Sequence, residues 1–468
     1  MRALAGAGLA LVGMAATMGT AQAAWWQAQT RHFTVYSEGR DETLRGFAER
    51  LEKFDFLLRR LNNVTSQEAG SPVKVYLLSS ESKVKKLARN PNIAGFYATS
   101  ERNAFAVLSR ERKTSKFDFG PEEVLFHEYA HHFMLHHFPA AYPAWYVEGF
   151  AEFFSVVAFP KDGSMEYGKI PLARLPGLKL DSPYPVKNLF ARDANGLSLR
   201  DGDRYYGTAW LLTHFYQYDK TGRRQEIARY LNDVAHGVPN LQADSYFEGG
   251  LDGLEKALKA YIKRKTLPYN QLTVKEMNIG ATIVTPVDPA QGDLIEDELQ
   301  LIHHPQTDEL PTIVSEIRAT AAQYPTSAYA LRGEALLDKA QDSDKAEDWK
   351  AALTSIVRAN RADTEDPLPL ALFYRYHAMR GGKMPDIGYD GLYKAFSLLP
   401  QNPTYRFNMA HAMAIKGEYA FASTLLDPIA YSPHGSDIRE AAIRLKAQFD
   451  QQAKDKAEGK IGNPKPAS

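Results

Sequence analysis

His127-Glu128-Tyr129-Ala130-His131 sets two imidazoles four residues apart, with a carboxylate beside the first. On a helix that spacing brings both rings to one face, where they could share a zinc ion. Glu128 then stands where a general base for an activated water is wanted. Catalytic zinc takes a third protein ligand. Glu148 follows His131 after 16 intervening residues, room to end one helix and begin an antiparallel partner. Glu152 lies one turn further on the same face, where a carboxylate could hold a ligand histidine's free N–H. The chain has no cysteine, which excludes disulfides and thiol catalysis and leaves His, Asp and Glu to hold any metal. His132, His136 and His137 lie off the ligand face and are assigned no role, and His303-His304 is read as surface.

Two helices must carry these groups. Pro121 suits the start of the first and Pro139 its stop, and Pro143 and Pro160 bracket a second over 144–159. Upstream, 32–36 reads as a strand and 44–61 as an amphipathic helix, with Leu44, Phe47, Leu51, Phe54, Leu58 and Leu61 at helical spacing. A strand at 73–78, a short helix at 82–89 and a hairpin of 94–98 with 103–108 follow. Residues 161–204, rich in Gly, Pro and Asp, read as a long irregular segment able to cover the cleft. Helices resume at 205 and again over 252–265.

The HEYAH motif followed by Trp145-Tyr146-Val147-Glu148-Gly149-Phe150-Ala151-Glu152 resembles the gluzincin metallopeptidases, in particular the bacterial peptidase-MA-like group, over roughly 25–267. The resemblance implies an α+β, thermolysin-like domain: a small mixed sheet, the HExxH helix and a helical subdomain. It makes His127, His131 and Glu148 the ligands of one Zn²⁺ per chain, Glu128 the catalytic base and Glu152 the acid behind a ligand. The spacer is slightly shorter than in the aminopeptidase branch, and Val147 stands where Asn is usual. In gluzincins the strand before the motif helix is a sheet edge that receives the substrate backbone. That role falls here on 103–108, with Asn103, Ala104, Phe105 and Ala106 as substrate-binding residues. The aminopeptidase branch also supplies a tyrosine at the start of a later helix, in a Y-x-x-small pattern. Tyr206-Gly207-Thr208-Ala209 fits it, with Tyr205 the rival.

The rest of the chain sets the context. Residues 1–23 read as a secretory leader: Arg2, an Ala-rich apolar run, then Ala21-Gln22-Ala23 as an A-x-A-type cleavage site. With no Cys after it, a lipoprotein anchor is excluded, and a periplasmic location is expected. No later run is long enough to span a membrane. The 56 Lys and Arg balance 56 Asp and Glu, which argues against nucleic acid or an anionic membrane as main partner. Expected units are the catalytic domain over 24–270, a connector over 271–310 with a β-prone stretch at 281–284, helical repeats over 311–450 and a disordered tail over 451–468. Asn402-Pro403 through Leu425-Leu426, closed by Pro433, resembles a tetratricopeptide repeat, with weaker copies from Pro325 and Pro369. Such stacks offer a groove to peptides or protein partners. The expected function is an exported zinc peptidase acting on peptides or proteins. Its alternative is a catalytically silent, peptidase-like protein that binds partners through the repeats.

Overall fold

The structure, a computed structural model, describes residues 25–461 apart from 40–41, 66–71, 92, 94, 101–102, 112–114, 116, 139, 141, 181, 192–193, 195, 237, 239–240, 275–276, 302–307, 321–324, 401 and 433–436. The expected leader, part of the turn before Asn103, Pro139, His303-His304, Pro433 and the end of the tail lie outside the described residues. The fold is mixed α and β.

The strands are β1 (Trp25–Gln29), β2 (Phe33–Glu38), β3 (Val73–Leu78), β4 (Gly95–Ser100), β5 (Asn103–Ser109), β6 (Met165–Tyr167), β7 (Asn270–Leu272) and β8 (Ile283–Pro286). Six of them form one sheet in the order β4-β5-β3-β2-β1-β8, while β6 pairs with β7 apart from it. β2, β3 and β5 run parallel, and the outer pairings β4–β5, β1–β2 and β1–β8 are antiparallel. β8 comes from the segment expected to be a connector, and its pairing with β1 makes it the far edge of the sheet.

Period-two alternation explains why both faces of the sheet are covered. Val73, Val75 and Leu77 of β3 and Ala104, Ala106 and Leu108 of β5 point into one core, and Tyr76, Leu78, Phe105 and Val107 into another. Helix α1 (Leu44–Leu61) fills the first face through Phe47, Leu51, Phe54 and Leu58, spaced three and four apart. Short α2 (Glu81–Leu87) covers the second face through Val84, helped by a later helix.

The site helices stand on that first layer. α3 (Pro121–His137) begins with Pro121 at its first turn, and Glu123 accepts a hydrogen bond from the Gly120 N–H at 2.9 Å, which fixes the start. The rings of Phe54 on α1 and Phe126 on α3 stack 4.2 Å apart. α4 (Ala144–Ser155) ends four residues short of the expected 159 and packs on α3. α5 (Val186–Ala191), α6 (Leu199–Tyr218), α7 (Arg223–Ala235) and α8 (Gly250–Ile262) complete the subdomain. α6 starts six residues before the expected 205, because Ser198 caps it by accepting from the Asp201 N–H at 3.1 Å.

Gly149 is required where α4 crosses α6: a Cβ there would stand 2.5 Å from the Ala209 carbonyl oxygen and clash with Thr213. Only glycine permits that approach, and it brings the residue beside Glu148 against α6.

α9 (Pro289–Leu301) lies on the second face of the sheet through Ile295 and Leu299. Then come α10 (Leu310–Thr320), α11 (Pro325–Ser343), α12 (Ala346–Ala362), α13 (Pro367–Arg380), α14 (Asp386–Leu398), α15 (Pro403–Ile415), α16 (Tyr419–Ala430) and α17 (Asp437–Ala457), each packed on the next. Gly381 and Gly417, both at positive φ, end α13 and separate α15 from α16. α17 runs past Gln451, where the sequence reading had placed a disordered tail; its apolar side closes on α16 through Ala442 and Phe449. No helix among the described residues is long and apolar enough to cross a membrane.

Candidate metal centre

α3 and α4 bring His127, His131 and Glu148 together. The His127 and His131 Nε2 atoms lie 3.1 Å apart, and Glu148 Oε2 is 3.4 Å from the first and 3.2 Å from the second. Tetrahedral ligands about 2.0–2.1 Å from a zinc ion stand about 3.3–3.4 Å from one another. The three edges match that triangle. Glu148 is 2 % exposed, and its Oε2 accepts no hydrogen bond of good geometry. A buried carboxylate oxygen in that state is costly unless a cation faces it. The donor set therefore fits a divalent ion with one position left open.

The tautomer fits as well. His127 Nδ1 lies 3.3 Å from Glu152 Oε1, so its N–H is directed at the carboxylate and Nε2 is the atom turned to the shared point, able to bind a metal on giving up its own proton. Glu152 is itself gripped by Arg174, whose Nη2 and Nε reach Oε1 at 2.7 and 3.3 Å. Arg174 Nη1 continues to Asp203 at 2.9 Å. The guanidinium lies between two rings, 4.4 Å from the centre of Phe119 and 4.7 Å from that of Tyr206.

Charge follows from this arrangement. Burial would lower the pKa of His127, but Glu148, Glu152 and Glu128 outweigh it and raise the imidazole to about 10. Burial works against ionised Glu152, yet Arg174 and His127 hold its carboxyl down at about 2. Glu148 is likewise held well below the usual range, chiefly by His131, against the cost of burial. Glu148 and Glu152 are thus held ionised beside His127 and Arg174, so a cation that displaced the imidazole proton would meet two carboxylates already charged.

Glu128 is half-buried beside this centre, and its charge reaches His127, Tyr97 and Tyr206. Tyr206 sits in the second turn and beyond of α6 rather than at a helix start, with its ring 6.3 Å from that of His127. Burial, then the charge of Glu148, keeps its phenol protonated well above neutrality. Tyr205, about 100° round the helix from Tyr206, is fully buried, edge-on to Tyr184 at 5.7 Å and to Tyr206 at 6.0 Å.

The substrate-edge expectation also needs correcting. β5, with Asn103, Ala104, Phe105 and Ala106, pairs with β4 along all four residues and with β3 from Phe105 onward, so it lies inside the sheet and not at its edge. The outer strand is β4, which packs against α3. Tyr97 on β4 has its hydroxyl 2.8 Å from His132 Nδ1. Arg174 and Tyr97 went unrecognised in the sequence. Arg174 lies in a stretch without periodicity, and the partner of Tyr97 is set by sheet order.

A second group, His32, Glu52 and Asp55, also has the composition to hold a metal. It lies behind α3, beside a cavity of about 390 Å³, and is joined to the motif helix by Tyr129, whose hydroxyl donates to Asp55 Oδ1 at 2.7 Å.

Compared with known proteins, the chain matches no family model, and neither a curated protein nor a solved structure is detectably similar to it.

Proposed function

We propose that the chain is a gluzincin-type zinc peptidase. The observation that carries the reading is the triangle of His127 Nε2, His131 Nε2 and Glu148 Oε2, with edges of 3.1–3.4 Å and a base one residue from the first ligand. Zinc, when bound, would make a water acidic and polarise a carbonyl.

The residues divide the remaining work. His127, His131 and Glu148 hold the ion, and Glu152 with Arg174 keeps the His127 ring turned to it. Glu128 takes a proton from the attacking water on its carboxylate and returns it to the leaving amine nitrogen. The Tyr206 hydroxyl, kept protonated, donates a hydrogen bond to the oxygen on which charge develops. β4, the outer strand of the sheet, is where an extended polypeptide would add as a further strand. The helices from α10 onward, read as tetratricopeptide-like, would present protein substrates or partners. An exported, periplasmic setting is part of the proposal and rests on the leader-like first 23 residues.

Two measurements on the purified protein test this. Elemental mass spectrometry should find about one zinc per chain in both wild type and Glu128→Gln. Fluorescein-labelled casein should be cleaved by wild type and about 10²–10⁴-fold more slowly by the variant. Zinc at full stoichiometry without cleavage in wild type would favour the silent, partner-binding alternative, and no zinc at all would sink the peptidase reading and leave the repeats as the part to study.

A further inference from the structure

We infer that Tyr97 is a positioning residue: its hydroxyl on His132 ties the outer strand β4 to the motif helix and so sets the grip on an extended polypeptide rather than the rate of bond cleavage. The inference rests on the peptidase reading above and deepens it by naming what fixes the substrate-binding edge.

Among the described residues, β4 pairs with β5 alone. Its register on β5 pairs Tyr97 with Ala106 and sends alternate side chains to opposite faces. Phe96 and Ala98 turn to the second core, where Phe96 meets Phe105 edge-on at 6.3 Å. Tyr97 turns to the first core, toward α3. Its bond to His132 at 2.8 Å is a side-chain link from strand to helix, made one residue after His131. His132 is in turn fixed from behind, its ring stacked on Tyr129 at 5.7 Å, and Tyr129 is anchored through Asp55 to α1. The strand edge is thus referenced to the helix that carries both histidine ligands.

Geometry then separates binding from chemistry. A substrate added to β4 takes its position from the strand, and its scissile carbonyl takes its distance from the ligands through the spacing between β4 and α3. The hydroxyl of Tyr97 is occupied by His132, so the residue acts through β4. Loosening the tie costs alignment in the bound complex, which appears first as weaker binding.

The test is Tyr97→Phe, which keeps the ring and removes the bond, and Tyr97→Ala, which removes both. Zinc content should stay at about one per chain. For fluorescein-labelled casein, KM should rise about three- to tenfold in Tyr97→Phe, the effect of one lost neutral hydrogen bond, with kcat within twofold. Amide hydrogen exchange should accelerate across 95–100 in Tyr97→Phe and remain slow in α3, a readout that needs no turnover. A fall in kcat at constant KM would overturn the inference and make Tyr97 a partner of Glu128 in the chemistry. Unchanged KM together with unchanged exchange would overturn it outright. A wild type that binds zinc without cleaving casein defeats the peptidase reading instead, and the exchange result still decides whether the tie exists.

Discussion

The molecule holds two clusters of one histidine-and-carboxylate kind, on opposite sides of α3, and they are solved differently. Around His127, His131 and Glu148 the polar atoms converge on one another: three lone-pair atoms meet within 3.4 Å, and Glu148 Oε2 accepts no well-formed hydrogen bond. Around His32, Glu52 and Asp55 every carboxylate oxygen receives a protein donor. The His32 backbone N–H reaches Glu52 Oε1 at 2.6 Å and its Nδ1 reaches Oε2 at 2.9 Å. Tyr129 supplies Asp55 Oδ1, and Arg59 supplies Oδ2 at 2.7 Å. Because two acceptors face His32 Nδ1, that nitrogen must carry its hydrogen and has no lone pair to lend. The same residue types make a candidate cation site in one place and a finished hydrogen-bond network in the other. What differs is whether each carboxylate oxygen receives a well-formed hydrogen bond from the protein.

The sharpest way to break this comparison is a pair of alanine substitutions read by metal content. His131→Ala should abolish zinc binding and hydrolysis together. His32→Ala should leave about one zinc per chain, because its cluster holds none, and should lower stability by removing a donor from two buried carboxylates. A second metal equivalent in wild type, lost in His32→Ala, would show that the two clusters are alike after all.

A smaller effect is expected one step behind the ligands. Arg174→Ala leaves Glu152 buried with only His127 to face, so the ring it orients is held less firmly. Zinc affinity, measured by competition with a chromogenic chelator, should fall about 10–100-fold while the ligand set stays intact. The second cluster predicts the converse for its own arginine: Arg59→Ala should leave zinc affinity unchanged. Equal zinc losses in both variants would mean that the network through Tyr129 transmits strain to the site.

The two clusters were unequally legible. The candidate ligands could be read from the chain because helical spacing places His127 beside His131 and Glu148 one turn from Glu152, on a second helix that Pro143 begins. The general α+β character followed from the β-prone run at 73–78 and the three-four spacing in 44–61. The rest depended on long-range pairing. Whether β4 or β5 is the outer strand is decided by which of them β3 accepts, and β3 took β5 in parallel; no local pattern in the hairpin records that choice. Glu52 and Asp55 look like ordinary charges on the outer face of α1 until His32 and Tyr129 arrive from elsewhere in the sequence. Tyr205 and Tyr206 were indistinguishable as letters, and the phase of α6, fixed by the Ser198 cap and the close crossing at Gly149, separated them.

Acid should distinguish the clusters last and least. Burial opposes ionised Glu52, but its hydrogen bonds from His32 and the neighbouring Thr30 hold its pKa below the ordinary 4.5. A carboxyl depressed in the folded state binds fewer protons there than when unfolded, so it contributes stability above 4.5 that is lost as pH falls through the folded value. Glu52→Gln should therefore lower stability at pH 7 and flatten the decline expected of wild type below pH 4.5. The measurement is chemical denaturation across pH 3–7 with the metal removed by chelator in every sample, so that zinc release does not contribute. If Glu52→Gln retained the full acid-dependent loss of wild type, the carboxylates of the second cluster would not be the groups holding α1 to the strand beside it, and the contrast between a closed network and an open metal site would lose its thermodynamic half.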